Sequence, residues 1–240
     1  MSAEHSFHIK GFIETSFLDW RGHLSSVIFT GGCNFRCPFC HNSDLVLQHD
    51  RVPDIPDAQI FAHLMKFRKW IDRVVITGGE PTLQRGLPLF AKRLKEKGFK
   101  VKLDTNGSHP GVVKDLVAAG LIDYIAMDMK GPISGYNRWC GTTVHRAAIE
   151  ESIDFISATS LEHEFRMTVV PFLHKEVDVY EAASRVAKAK RFFVQDFVPR
   201  NTLNPAFAHL RPFSPDRMTK IRQKVEGIIQ DAQVRRTLHQ

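Results

Sequence analysis

Short apolar runs alternate with longer amphipathic runs along most of this 240-residue chain, and this alternation limits the possible folds more than any other feature. Six runs rich in β-branched or aromatic residues are predicted to be strands: 24–30, 74–77, 101–104, 124–128, 165–170 and 192–197. Helical patterns occupy 57–70, 86–97, 110–119, 145–158, 177–188 and 215–234. Strands that alternate with helices form parallel βαβ units, so we expect an α/β fold, a partial (β/α)6 TIM-like barrel or a strongly curved open sheet.

Length and composition predict one domain over residues 1–240, since 43% of the residues are hydrophobic and can bury one full core. Its core is expected over 22–200, followed by a loop and a helix in 200–240. No signal-peptide pattern and no long apolar run is visible, so we expect a cytoplasmic protein outside the membrane. The net charge of +7 is spread along the chain without a nucleic-acid motif, and nucleic-acid binding is not expected.

Polar motifs follow the first four predicted strands. The cysteines at 33–40 follow the first, Gly-Gly-Glu-Pro at 78–81 the second, Asp-Thr-Asn-Gly at 104–107 the third, and Asp-Met-Lys at 128–130 the fourth. Parallel α/β folds place their active sites at the carboxyl ends of strands. We therefore expect these motifs to contribute to one site.

Three cysteines, Cys33, Cys37 and Cys40, lie within eight positions. A cubane [4Fe–4S] cluster is normally held by four cysteines, so three would leave one iron open for chemistry. The alternatives are three small buried apolar residues, a zinc site completed by His41, or disulfides that include Cys140. The neighbouring Gly, Asn, Arg and Pro residues are a poor core pattern, zinc ligands usually come as two separated pairs, and one further cysteine leaves an unbalanced set. The spacing favours a reactive cluster.

The run Gly78-Gly79-Glu80-Pro81 can let the backbone approach a ligand closely, because glycine has no side chain. The Glu80 carboxylate can receive an ammonium group. Taken alone, this tetrapeptide could also be an ordinary turn between a strand and a helix.

Together with the cysteine spacing, this motif resembles the radical S-adenosylmethionine (SAM) superfamily, which has Cys-x3-Cys-x2-Cys with an aromatic residue before the third cysteine and Gly-Gly-Glu-Pro after the second strand. The resemblance implies a radical SAM core fold and a [4Fe–4S] cluster on the three cysteines. The SAM-binding residues are then expected to be Phe39, Gly78, Gly79, Glu80, Asn106, Asp128 and Lys130. Phe39 would lie near the adenine, Asp128 near the ribose and Lys130 near the methionine carboxylate. Asn106 is included for its position at the strand end, and a turn-forming role is its alternative.

The family chemistry implied by this resemblance is reductive cleavage of SAM. One electron from the reduced cluster breaks the bond between sulfur and the 5′ carbon, and the resulting 5′-deoxyadenosyl radical abstracts hydrogen from a substrate. The protein positions the cofactors and excludes water. An external flavodoxin-like or ferredoxin-like electron donor is required.

Three further features are similar to the activating enzymes of glycyl-radical proteins. They are the ending Cys40-His41-Asn42, the opening segment 11–22 and the Asp128-Met-Lys130 step. Within that group the chain most resembles the activating proteins of anaerobic ribonucleoside-triphosphate reductases. The resemblance implies a glycyl-radical enzyme as protein substrate, in the first place an anaerobic ribonucleotide reductase. Ser25 departs from the group pattern, which has a basic residue there, and the extra cysteine-rich insert of some activases is missing.

Two alternatives remain open. One is a radical SAM enzyme with a small-molecule substrate, similar to the 7-carboxy-7-deazaguanine synthases, against which the His41-Asn42 pair counts. The other is a non-catalytic iron–sulfur or zinc protein. Three other residues are interpreted more simply: Arg166 as the partner of an inward carboxylate or of a structural ion pair, His41 as a support for the cluster that does not bind iron, and Cys140 as a structural thiol.

Overall fold

The computed structural model describes residues 7–229 and 231–235. Its strands are β1 (Ile9–Ser16), β2 (Ser25–Thr30), β3 (Arg73–Gly78), β4 (Lys100–Thr105), β5 (Tyr124–Asp128), β6 (Glu162–Val169), β7 (Phe192–Asp196) and β8 (Ala232–Arg235). Its helices are α1 (Ser43–Leu47), α2 (Asp57–Phe67), α3 (Leu87–Glu96), α4 (Pro110–Ala118), α5 (Tyr136–Cys140), α6 (Arg146–Ala158), α7 (Glu176–Arg185) and α8 (Pro215–Glu226). Within each unit, neighbouring strands in the sheet follow the order of the chain. The predicted α/β class is confirmed.

The chain divides into two compact units. The first unit comprises the described part of Met1–Asn34 with Asp44–Thr105 and Gly111–Ile125, and the second comprises Phe35–Ser43, Asn106–Pro110 and the described part of Ala126–Gln240. The predicted single domain over 1–240 stays a prediction.

In the first unit, β2, β3 and β4 run parallel, with Ile28 opposite Ile76 and Ile76 opposite Leu103. All three of these side chains are fully buried. Near-continuous apolar sequence is typical of parallel strands covered on both faces. A small cluster of Trp20, Val27, Val75 and Tyr124 extends this core.

Helix α3 shows how the sequence sets the helix ends. Its buried residues, Leu87, Phe90, Ala91 and Leu94, recur at the spacing of one helical face. Proline in the first turn costs no hydrogen bond, and basic residues in the last turn suit the helix dipole. Gly98 then takes a positive φ of 79°, as glycines that follow helices commonly do.

In the second unit, β6, β7 and β8 are parallel, with Met167 opposite Val194 and Val194 opposite Val234. Helix α8 begins at the cap Ser214, whose hydroxyl accepts a hydrogen bond from the Arg217 N–H. It lies against α7 and β8.

Two strands were not predicted. β1 pairs antiparallel with β2, although its sequence includes Gly11, Lys10 and Glu14, which weaken the strand pattern. The helix predicted over 215–234 is wrong in its second half, because α8 ends at Glu226, before Gly227, and β8 follows. Glycine is a poor helix former, and the free edge of β7 offers hydrogen-bonding partners to the segment beyond it.

The remaining differences are small. The loop predicted after residue 200 contains a short 3-10 helix, Pro205–His209, and the short helices α1 and α5 were not predicted. Within the described residues, no helix is both long enough and apolar enough to cross a membrane.

Candidate active site

The predicted site residues are distributed over both units. The first unit carries Cys33, Gly78, Gly79 and Glu80, and the second carries Cys37, Phe39, Cys40, Asn106, Asp128 and Lys130. Each set is therefore described within its own unit.

In the first unit, the turn after β3 packs directly on the backbone that leads to Cys33. A Cβ atom on Gly79 would lie 1.9 Å from the Gly32 carbonyl oxygen, and one on Gly78, whose φ is 115°, would lie 2.3 Å from the Thr30 nitrogen. The Gly79 and Glu80 N–H groups donate to the Thr30 and Gly32 carbonyls at 2.9 and 2.8 Å. Only glycine fits these two positions, because any side chain would collide with main-chain atoms.

Glu80 is buried in this turn, with 1% of its surface exposed. Its Oε1 accepts hydrogen bonds from the Thr82 N–H at 3.1 Å, the Thr82 hydroxyl at 2.5 Å and the Thr105 hydroxyl at 2.7 Å. The carboxylate thus joins the turn after β3 to the end of β4. Three hydrogen bonds to one carboxyl oxygen fix the orientation of this side chain.

In the second unit, the segment Phe35–Ser43 carries Cys37 and Cys40. The Cys40 N–H donates to the Cys37 carbonyl at 3.0 Å, which closes a turn. Main-chain hydrogen bonds from both sides hold the segment: Arg36 N–H to Cys140 O at 2.8 Å, Leu203 N–H to Cys40 O at 3.0 Å and Asn204 N–H to Pro38 O at 2.9 Å. The cysteine segment is therefore held by α5 and by the loop after β7.

The two thiols of this segment differ in their electrostatic surroundings. A hydrogen bond with the Cys140 thiol lowers the pKa of Cys37, burial opposes this effect, and the Lys130 charge lowers the pKa further. Burial raises the pKa of Cys40. The thiolate is the form that binds metal, so the surroundings of Cys37 favour its ligand form.

Asp128 and Lys130, at the end of β5, form a charged cluster with Arg166 of β6. Arg166 Nε lies 2.8 Å from Asp128 Oδ1, and Lys130 Nζ lies 3.5 Å from Asp128 Oδ2. Burial alone would raise the pKa of Asp128, but the two cations outweigh it and lower this pKa to about 2. Burial would lower the pKa of Lys130, and Asp128 followed by Cys37 raises it instead. Both groups are charged at neutral pH.

Asn106 forms a turn at the end of β4. Turn formation was the alternative to SAM binding in the sequence interpretation of this residue. Its Oδ1 accepts a hydrogen bond from the Ser108 N–H at 2.9 Å, and Gly107 follows with a φ of 77°. The side chain is buried at the carboxyl end of β4.

Sequence reasoning missed two buried residues of the second unit. The Tyr136 hydroxyl accepts a hydrogen bond from the Lys130 N–H at 3.3 Å, and His174 Nε2 lies 2.8 Å from the Lys130 carbonyl oxygen. The His174 ring also contacts the ring of Phe39 edge-on. No spacing rule points to His174, because it lies 44 residues after Lys130 in the chain.

Within residues 7–229 and 231–235, no three His, Cys, Asp or Glu side chains are grouped as a site for one metal ion would require. A cubane cluster is a different case, because each thiolate binds its own iron.

Comparison with known proteins identifies the family. Residues 27–183 match the radical SAM superfamily, and these residues contain all of the predicted site motifs. The chain belongs to the radical SAM superfamily. A 34% identical relative from Methanocaldococcus jannaschii covers 84% of this chain and 85% of its own length, and its provisional name is glycyl-radical enzyme activating enzyme. A pyruvate formate-lyase-activating enzyme from Clostridium pasteurianum is 23% identical over 75% of this chain and 76% of its own. These matches place this radical SAM enzyme in the glycyl-radical activase group.

Solved radical SAM structures share the fold at low sequence identity. SuiB from Streptococcus suis has a TM-score of 0.66 at 14% identity and covers 86% of this chain, which in turn spans 47% of SuiB. TYW1 has a TM-score of 0.60 at 15% identity, with 89% of this chain and 76% of TYW1 covered. These likenesses agree with the predicted radical SAM core fold.

The cofactors of the radical SAM superfamily are a [4Fe–4S] cluster and SAM, as predicted, and this enzyme uses both. The second unit fits them in its chemistry. It presents a thiol with a lowered pKa, Cys37, beside the cation of Lys130 and the anion of Asp128. A thiolate suits iron, and a cation and an anion suit the carboxylate and the hydroxyl groups of SAM.

Proposed function

We propose that this radical SAM enzyme activates a glycyl-radical protein, by removing a hydrogen atom from a backbone glycine of that partner. An anaerobic ribonucleotide reductase is the first candidate partner. The observation that carries the proposal is the match to the Methanocaldococcus jannaschii relative named as an activating enzyme, which extends over 84% of this chain and 85% of the relative. A match of that extent is longer than residues 27–183, the part of the chain that the superfamily match covers.

The cluster ligands in this proposal are Cys33, Cys37 and Cys40. Their spacing and the family membership support the assignment, and the lowered pKa of Cys37 supports it independently. The open iron is left for SAM.

The SAM-binding residues in this proposal remain those expected from the sequence: Phe39, Gly78, Gly79, Glu80, Asn106, Asp128 and Lys130. The local geometry supports distinct tasks for them. Lys130 supplies a cation for the methionine carboxylate, and Asp128, held ionised by Arg166, supplies an acceptor for ribose hydroxyls. Phe39 offers a nearly buried aromatic ring for the adenine. Glu80 and Gly79 provide a rigid turn, because both are fixed by main-chain contacts.

Cys33, Cys37 and Cys40 would hold the cluster, and Lys130 and Asp128 would hold SAM; when bound, the two groups would supply the one-electron cleavage of SAM, with release of methionine, that allows hydrogen to be taken from the glycine Cα. The products are 5′-deoxyadenosine and a glycyl radical on the partner. The residues of this chain orient SAM and exclude water during that step. A flavodoxin-like or ferredoxin-like donor must supply the electron.

The test is anaerobic reconstitution with iron and sulfide, followed by reduction and addition of SAM and an anaerobic ribonucleotide reductase. We expect 5′-deoxyadenosine together with a persistent glycyl doublet in the electron paramagnetic resonance (EPR) spectrum of the partner. A partner whose radical-site glycine is replaced by alanine is the matched control and should give no doublet.

Three outcomes separate the alternatives. Cleavage of SAM without a protein radical on any glycyl-radical candidate contradicts the activase proposal but leaves a radical SAM enzyme. Turnover of a purine-like small molecule would favour the 7-carboxy-7-deazaguanine synthase-like alternative. Lack of cleavage by a protein with an intact cluster and a competent donor would contradict both enzyme functions.

A further inference from the structure

We propose that His174 is a positioning residue for SAM, because its buried ring fixes the main chain of Lys130 and one edge of Phe39. The inference rests on the proposed function only in taking Lys130 and Phe39 as SAM contacts. His174 follows β6 and has 2% of its surface exposed. It contacts neither substrate nor cluster in this proposal and acts through its neighbours.

The hydrogen bonds of His174 define the state of its ring. Nδ1 accepts from the Val170 N–H at 3.0 Å, and Nε2 donates to the Lys130 carbonyl at 2.8 Å. A main-chain N–H can only donate, so Nδ1 carries no proton and Nε2 carries one. The His174 N–H returns a bond to the Val170 carbonyl at 2.9 Å, which closes a loop of five residues around the ring.

Aromatic contacts hold the plane of the same ring. Trp139 stacks on His174 with centroids 4.7 Å apart and an interplanar angle of 29°. Phe39 meets it edge-on at 6.0 Å and 70°. Trp139 is itself anchored by a hydrogen bond from its Nε1 to the Pro132 carbonyl at 3.2 Å. The His174 ring therefore connects the cysteine segment, through Phe39, to α5, through Trp139.

The hydrogen bond from His174 helps to fix the main chain of Lys130. Its N–H donates to the Tyr136 hydroxyl and its carbonyl accepts from His174, so buried side chains hold both polar groups of its main chain. Loss of the His174 donor would leave the Lys130 carbonyl without that partner in a buried site, and the segment would shift to reach another donor. Its ammonium group would then leave the place where a SAM carboxylate is expected.

The test compares two buried histidines of the second unit. His163 lies near the start of β6 and makes a matching pair of ring contacts, to the Leu161 carbonyl at 3.0 Å and from the Lys190 N–H at 3.1 Å. His174→Phe and His163→Phe each remove both ring hydrogen bonds and keep an aromatic ring. SAM affinity is measured by equilibrium binding to the anaerobically reconstituted, unreduced protein, together with iron content and the thermal midpoint of unfolding.

We expect His174→Phe to weaken SAM binding about tenfold, the change that corresponds to one lost hydrogen bond of about 1.4 kcal/mol. His163→Phe should change SAM binding less than about twofold while lowering the thermal midpoint to a similar degree. Equal SAM affinities in the two variants, at equal iron content, would overturn the proposal. If His174→Phe does not accumulate as folded protein, His174→Asn carries the test, because its amide is too short to reach both main-chain partners. Unchanged affinity in His174→Asn would also overturn the proposal.

Failure of this test and failure of the activase proposal are distinguishable. SAM binding is measured without a partner protein, so a missing glycyl radical does not affect it. In turnover, the positioning role predicts a larger rise in KM for SAM than fall in kcat, and a purely structural role predicts a loss of active protein with KM unchanged.

Discussion

Arg166 Nε donates a 2.8 Å hydrogen bond to Asp128 Oδ1 across the strands β5 and β6. The guanidinium is almost fully buried, and its Nη1 lies 3.8 Å from Glu164 as well. It therefore balances two carboxylates within the second unit. Of the two interpretations of Arg166 offered by the sequence, the structure shows the structural ion pair, with Asp128 and Glu164 as its partners.

Replacement of Arg166 by Gln should lower the free energy of unfolding at neutral pH by about 1–3 kcal/mol, because Asp128 loses a charged hydrogen-bond donor. The pKa of Asp128 is lowered from 3.8 to about 2, so its contribution is complete above about pH 4 and is lost as the pH falls toward about 2. The difference in unfolding free energy between the unaltered protein and Arg166→Gln should therefore decrease as the pH falls from about 4 to about 2. Urea unfolding of iron-free protein at several pH values measures it.

The matched control is Arg185→Gln, which removes a 2.8 Å ion pair with Asp154 on the protein surface. Exposed pairs contribute about 1 kcal/mol or less. Equal losses of unfolding free energy in Arg166→Gln and Arg185→Gln would contradict the larger contribution expected of the buried pair between Arg166 and Asp128.

Gly79→Ala should destabilise the first unit and reduce iron incorporation. The new methyl group would lie 1.9 Å from the Gly32 carbonyl oxygen, and main chain cannot yield as a flexible side chain can, so we expect a loss of about 2 kcal/mol or more. Gly111→Ala is the control, because no atom lies within 4 Å of its added Cβ. That change lies in α4 and should stabilise by about 0.5–1 kcal/mol. Denaturant unfolding and iron analysis distinguish the two.

Each of the substitutions Cys33→Ala, Cys37→Ala and Cys40→Ala should abolish cluster binding and SAM cleavage. Cys140→Ala should retain the cluster, because its thiol is hydrogen-bonded to Cys37 and is not a proposed ligand. Iron and sulfide content with the EPR spectrum of the reduced protein measures this. Retained clusters in Cys37→Ala, or a lost cluster in Cys140→Ala alone, would show that the ligand set is wrong.

Phe172→Gly should raise the free energy of unfolding by about 0.5–1 kcal/mol. Phe172 has a φ of 65°, a left-handed conformation that costs a bulky residue about 1–2 kcal/mol, and 87% of its surface is exposed. Removal of the Phe172 ring therefore sacrifices little buried apolar surface. Asn201→Gly, at a φ of 51°, should raise the free energy of unfolding by less, since asparagine tolerates this conformation. An equal or larger gain at Asn201 would count against this explanation.

Sequence predicted the parts of this enzyme that depend on local pattern. The spacing of apolar residues and the residue types predicted six of the strands and the main helices, and the cysteine spacing indicated the family. The pairing of β1 with β2 and the strand β8 depend on hydrogen bonds to neighbours that local pattern does not encode. The contact between His174 and Lys130 likewise joins residues 44 positions apart. The glycines of the Gly-Gly-Glu-Pro run were attributed to ligand approach, and their observed contacts are with protein backbone.

The Gly79 and Glu80 N–H groups donate to the main-chain carbonyls of Thr30 and Gly32, just before Cys33, and the Gln84 side chain adds a hydrogen bond to the Gly31 carbonyl at 2.7 Å. The first two bonds depend on main-chain geometry and on the glycines, and only the third depends on the identity of a side chain. Side chains elsewhere in the first unit can therefore vary without displacing the residues just before the first cysteine, whereas the two glycines cannot be replaced without moving that main chain.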